Sequence, residues 1–156
     1  MKSIPETSSE QLRGTTKILQ AVSASMVAAA FIGGVVIIGL VPEDLNNKPN
    51  MLVLLAAFTA MVSYGLSFIV AAIFKSPVAA DEVPTDEQVK KAAGQIATSH
   101  VIRSVIIGGG ILLNLMVLLL ERNFISIAVI GLGFFLLCIL FPTHGRYIKA
   151  IARRLD

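Results

Sequence analysis

Residues 101–120 read VIRSVIIGGGILLNLMVLLL. A run of about 20 mostly apolar residues crosses the roughly 30 Å of a bilayer's hydrocarbon as a helix. This one also holds Arg103 near its start, the triplet Gly108, Gly109 and Gly110 at its middle, and Asn114 beyond. Charge, bare backbone and a side-chain amide are costly in lipid unless they meet other protein. The stretch therefore reads as the helix around which the others pack.

Three further runs have spanning length: Ile18–Val41, Met51–Phe74 and Phe124–Phe141. The chain has 156 residues, of which 55% are hydrophobic and only 15% charged. A soluble core of this size cannot hide that much apolar surface, so the composition points to a membrane protein. The first run is too long for the apolar region of a signal peptide and is followed by more spans, so it is expected to remain as a helix. The lone Cys138 excludes an internal disulfide and a cysteine-based metal cluster. The expected fold is all-α, a four-helix transmembrane bundle of two antiparallel hairpins forming a single membrane domain over residues 1–156.

Outward from the central stretch, residues 86–100 continue without proline. Val89, Ala92, Ala93, Ile96 and His100 fall on one face of a helix. Thr85 with Gln88 reads as a capping box, and Asp86 and Glu87 complement the helix dipole. One helix from about 86 to 121, roughly 54 Å long at about 1.5 Å per residue, is expected to project its first turns from the membrane. The linker 75–97 thus belongs to the cytoplasmic side. Glu121-Arg122-Asn123 forms a tight turn into the fourth span, and Pro142 ends or kinks that span.

Toward the N-terminus, Thr7 and Glu10 suggest a short capped lead-in that Gly14 interrupts. Ala21, Ser25, Ala29 and Gly33 recur every four residues in the first span, and Ala60, Ser63, Ser67 and Ala71 recur similarly in the second. Such small faces let another helix approach closely. Gly108, Gly109, Gly110 and Gly131 are assigned the same role. Pro42–Asn50 is short, so spans one and two are expected to pair as a hairpin, as are spans three and four. Tyr64 lies deep and needs a hydrogen-bond partner. Asn114 should bond across helices, to Thr59 or Ser126.

The tail 143–156 sets Tyr147, Ile148, Ile151 and Leu155 against Arg146, Lys149, Arg153 and Arg154, the pattern of an interfacial amphipathic helix. Arg103, Arg146, Lys149, Arg153 and Arg154 are candidates for anionic lipid headgroups. Gln20, His100, Arg103 and His144 should share one depth beneath the headgroups. With four spans, eleven Lys and Arg lie on the side of the termini and two, Lys48 and Arg122, on the other. That asymmetry places both ends in the cytoplasm.

Two resemblances follow. Length and glycine-bearing hairpins resemble the four-span proteolipid of rotary ATPase rotor rings, a family that implies ion translocation through a mid-membrane carboxylate. No Asp or Glu lies within any of the four runs here, which removes that chemistry. HVIRSVIIGGGILLNLMVLLLE with a later FPTHGR is similar to a group of uncharacterised bacterial small membrane proteins. Arg103, Gly109, Asn114, Phe141, Pro142, Thr143 and Arg146 fit that pattern, and Gly108 stands where the group has Glu. The resemblance covers the second half of the chain and implies no activity.

Catalysis is not expected. The chain holds no Ser-His-Asp or His-Cys set, no phosphate loop after a strand and no membrane carboxylate pair. No cofactor or metal is implied, and the dispersed cations give no nucleic-acid footprint. The expected role is that of a non-catalytic integral membrane protein, an accessory, scaffold or assembly subunit meeting other membrane proteins or itself through small-residue faces. A small oligomeric transporter or channel component, and an anionic-lipid-binding protein, are the alternatives. The expected location is multi-pass in a membrane, the plasma or inner membrane if bacterial.

Overall fold

The structure, a computed structural model, describes residues 6–40, 45, 48–73 and 85–155. Among these the protein is all-helical: α1 (Glu6–Leu40), α2 (Met51–Ile73), α3 (Asp86–Glu121), α4 (Phe124–Ile139) and α5 (His144–Leu155). Within α1 Leu12–Ile37, and α2 and α3, are long and apolar enough to cross a membrane. The fourth candidate arises only if α4 and α5, bent 71° apart, count together.

α3 is one unbroken helix of 36 residues. The capping box at its start is formed: Gln88 N–H donates to Thr85 Oγ1 at 3.4 Å, and Thr85 N–H to Gln88 Oε1 at 2.9 Å. At its end Arg122 turns left-handed, φ 49°, and its N–H closes on the Leu118 carbonyl at 2.9 Å. Asn123 then caps α4, its Oδ1 accepting from Ile125 N–H at 2.9 Å. Asn immediately before an apolar run is a helix-start signal, and it sharpens the turn expected at 121–123.

α3 touches every other helix. α2 runs against it in the opposite sense, pairing Ala56 with Asn114, Ala60 with Gly110 and Phe68 with Arg103. α1 runs with it, pairing Ser23 with His100 and Gly33 with Leu115. α1 and α2 make no contact among the described residues, which corrects the expected first hairpin. Both pack on α3 and α4 instead, and α3 is the helix that every other one contacts. Gly14 does not interrupt α1, which is helical from Glu6. The cap proposed at Thr7 and Glu10 rests on side chains outside the described residues, as do most of the connection 42–50 and the linker 75–84.

The bundle's centre is a slot. Tyr64 of α2 lies between α3 and α4, and its hydroxyl donates to the Val129 carbonyl at 3.2 Å. A Cβ at Gly110 would stand 2.7 Å from Tyr64 Cε1, and one at Gly133 would overlap the hydroxyl and stand 2.6 Å from Ile111 Cγ1. Glycine is thus needed at both positions for close approach. Asn114 is fully buried and donates to the Ala56 carbonyl at 3.3 Å and to Gly110 O at 3.0 Å. The interhelical bond exists, but to backbone: Thr59 bonds its own helix at Leu55 O, and Ser126 Oγ is buried without a partner among the described residues. Outside, Phe31, Leu112, Met116 and Phe135 are exposed, as lipid-facing side chains would be.

A second cluster lies at the polar end of the bundle. Val89, Ala92 and Ala93 of α3 pack on Tyr147, Ile151 and Leu155 of α5 and on Leu12 and Leu19 of α1. The apolar side of α5 is therefore spent inside the chain. This corrects the interfacial reading of the tail: the break at Pro142 swings α5 off the line of α4 and onto α3.

Gly133→Val should destabilise the fold by about 1–3 kcal/mol through overpacking, seen as a lower melting temperature in detergent. Gly131→Val, at an exposed position with nothing within 4 Å of a Cβ, should leave that temperature unchanged.

Candidate functional site

The chemically varied end of the molecule is where α1, α3 and the α4–α5 junction meet. α3 presents His100 and Arg103 less than a turn apart. α1 presents Thr16, Gln20 and Ser23 at spacings of four and three, which keeps them on one face. Pro142 stops α4 and leaves its last carbonyls without intrahelical donors. Arg146 fills that need at Ile139 O, donating from its NH1 nitrogen at 3.0 Å, and just past the helix Gln20 Nε2 donates to Pro142 O at 3.1 Å.

The histidines engage different hydroxyls. His100 Nε2 is 2.8 Å from Ser23 Oγ, and His144 Nδ1 is 3.3 Å from Thr16 Oγ1, which donates to Leu12 O at 2.7 Å. Among the described residues no three His, Cys, Asp or Glu gather as a metal site would require. The guanidinium of Arg103 lies over the Phe68 ring, 5.4 Å from its centroid. Arg103 Nε is buried and has no hydrogen-bond partner among the described residues. Arg103, His100 and Arg146 line one pocket of ≈ 260 Å³ with Ile96, Phe141 and Tyr147.

The polar layer expected from Gln20, His100, Arg103 and His144 is thus assembled, with two hydroxyls the sequence reading passed over. Thr16 and Ser23 share a helical face with Leu12 and Leu19, a spacing that could have found them. Of the tail cations, Arg146, Lys149 and Arg153 are exposed. Arg154 instead donates to Gln95 Oε1 at 2.9 Å, turned onto α3 rather than toward a headgroup.

The small residues divide. Ala60, Ser67, Gly110 and Asn114 face the interior, and Ser67 Oγ donates to Tyr64 O at 2.7 Å. Gly33 is half-buried, its Cβ position 3.5 Å from Leu115. Ala21, Ser25, Ala29, Gly109 and Gly131 are exposed, and Gly108 has nothing within 4 Å of a Cβ. Within this chain, close packing at the glycine triplet is the work of Gly110 alone, because only that position faces Tyr64.

No protein-family model, curated protein or solved structure matches the chain.

Tyr147 is buried beside the pocket and donates to Ala93 O at 3.0 Å; burial pushes its phenol up from 10.0 to about 12. A phenol raised on folding supports the fold fully below its ordinary value and loses that support as pH rises through the folded value. Docking of α5 should therefore weaken between pH 10 and about 12. Phenolate absorbance of wild type minus that of Tyr147→Phe isolates the Tyr147 phenol, and that difference should develop above pH 10, toward about 12.

Proposed function

We propose that this protein is a non-catalytic, four-span integral membrane protein that serves as an accessory or assembly subunit, with both termini in the cytoplasm. The observation that carries the reading is the uncovered stripe on α1: Ala21, Ser25 and Ala29 are all exposed. A small-residue face gains little against acyl chains, but it admits a helix backbone at close range, where van der Waals contact drives association in lipid. The hydroxyl of Ser25 is already bonded to Ala21 O at 2.9 Å, so this face offers shape rather than hydrogen bonds. Gly109 of α3 and Gly131 of α4 are uncovered as well.

The division of Lys and Arg, eleven to two, supports the threading. The fourth crossing is α4, at 16 residues about 24 Å long at about 1.5 Å per residue. A short span of this kind is accommodated by local thinning of the bilayer. The transport alternative has less support. Thr59, Ser63 and Ser67 each bond a carbonyl of their own helix, and Tyr64 and Asn114 bond backbone within the seam.

Two measurements test the reading. In a Cys138→Ala background, Lys48→Cys should react with an impermeant maleimide applied to intact cells and Ser9→Cys should not; the reverse pattern refutes the threading. The full chain, solubilised in mild detergent, should have a protein mass above that of one copy. The double variant Ser25→Leu with Ala29→Leu should keep its helical spectrum and melting temperature and lose that complex. A wild type that is monomeric, or a complex that survives the double variant, overturns the role assigned to α1.

A further inference from the structure

The pocket at the polar end holds an electrostatic problem that the described residues do not solve. Arg103 keeps its charge at any ordinary pH, and a cation taken partly out of water needs a partner. Among the described residues no Asp or Glu lines the pocket. Along α3 the acids in either direction are Glu87 and Glu121, sixteen and eighteen residues away. At about 1.5 Å per residue these lie roughly 24 and 27 Å off. Arg146 lines the same cavity of ≈ 260 Å³, and no negative charge stands among its lining residues.

The geometry suits an anion. Phe68 lies under one face of the Arg103 guanidinium at 5.4 Å, leaving the fork's edge as the bonding direction. Arg103 Nε is buried with no partner among the described residues, one donor of that edge still to be used. Arg146 is anchored by one bond to Ile139 O, 3.0 Å long, which holds the side chain across the α4–α5 junction. His100 is fixed by Ser23 at 2.8 Å through Nε2, so its other ring nitrogen is held in a set direction. The remaining wall is apolar, from Ile96 and Phe141, which strengthens any charge pairing inside. Two arginines lining one cavity suit a compact group with several acceptor oxygens, as phosphate supplies. The depth agrees: Arg103 stands just inside the apolar run that begins at Val101.

We propose that Arg103 and Arg146 together bind a phosphate group in this pocket. The group reaches it either as the headgroup of an anionic lipid or as a free phosphate-bearing solute.

The test uses the full-length chain in phosphatidylcholine nanodiscs with and without phosphatidylglycerol, and separately with inorganic phosphate. Native mass spectrometry should show an anionic lipid retained on the released protein. Arg103→Gln and Arg146→Gln should each weaken that retention by about tenfold or more, the scale of one charge-assisted bond. Lys149→Gln and Arg153→Gln, equal in charge removed, should change it little. Displacement of the lipid by inorganic phosphate identifies a site for the phosphate group alone, open to free solutes. Retention that phosphate does not displace identifies a lipid site. Equal loss from all four variants, or none from Arg103→Gln and Arg146→Gln, overturns the proposal, since the charge would then act diffusely over the surface. Arg103→Lys guards against misfolding: it keeps charge and stem but lacks the fork, and should bind between wild type and Arg103→Gln. Arg146→Gln lies at an exposed position and decides the matter alone if both Arg103 variants fail to fold.

Discussion

A tyrosine ring in a slot of two glycines governs the packing of this protein. Tyr64 enters from α2, and the space it occupies exists because neither Gly110 nor Gly133 has a side chain. Lipid tails are as apolar as the helices they surround, so burial supplies little net drive for helix association there. Close van der Waals contact and hydrogen bonds must do that work. Tyr64 supplies both, filling the slot and bonding the Val129 carbonyl. Because it touches α3 and α4 at once, one side chain sets the distance among three helices. α1 is left to lean on α3 and α4 from the far side of α2, and its outer face stays bare.

The buried polar side chains follow the same economy. At the seams, four of them bond backbone carbonyls: Tyr64 to Val129, Asn114 to Ala56 and Gly110, Ser67 to Tyr64, and Tyr147 to Ala93. A carbonyl already engaged in a helix keeps a second lone pair, so such bonds need no matched partner residue. Three of these bonds, Tyr64 to Val129, Asn114 to Ala56 and Tyr147 to Ala93, stitch one helix to another.

The polar end is built differently. The break at Pro142 ends α4, bends the chain by 71° and brings α5 back over the first turns of α3. This small second core fixes the positions of His100, Arg103 and Arg146 relative to one another. The pocket between them is lined from α1, α3 and the α4–α5 junction, with Arg103 half-buried and Arg146 exposed but bonded to Ile139 O.

The helices themselves were written in local sequence. Apolar length, the Thr85–Gln88 cap, the absence of proline from 86 to 141 and the stop at Pro142 are signals read within a turn or two, and each appears in the structure. That Gln20, His100, Arg103 and His144 come to one end of the bundle was legible too, since position along a helix is a matter of counting. The partners were not. Gly108, Gly109 and Gly110 look alike in sequence, yet only Gly110 meets Tyr64, and this depends on how α3 is rotated against α2. The stripe at Ala21, Ser25 and Ala29 resembles the one at Ala60 and Ser67, but the first faces out and the second in. The amphipathic tail showed that it had an apolar side, not that α3 would cover it. Sequence alone thus determined which segments are helical, how long they are and which can enter lipid, because these follow from local composition and backbone chemistry. Which faces meet was decided only by the tertiary structure, because rotation and neighbour order are set by contacts among residues far apart in the chain.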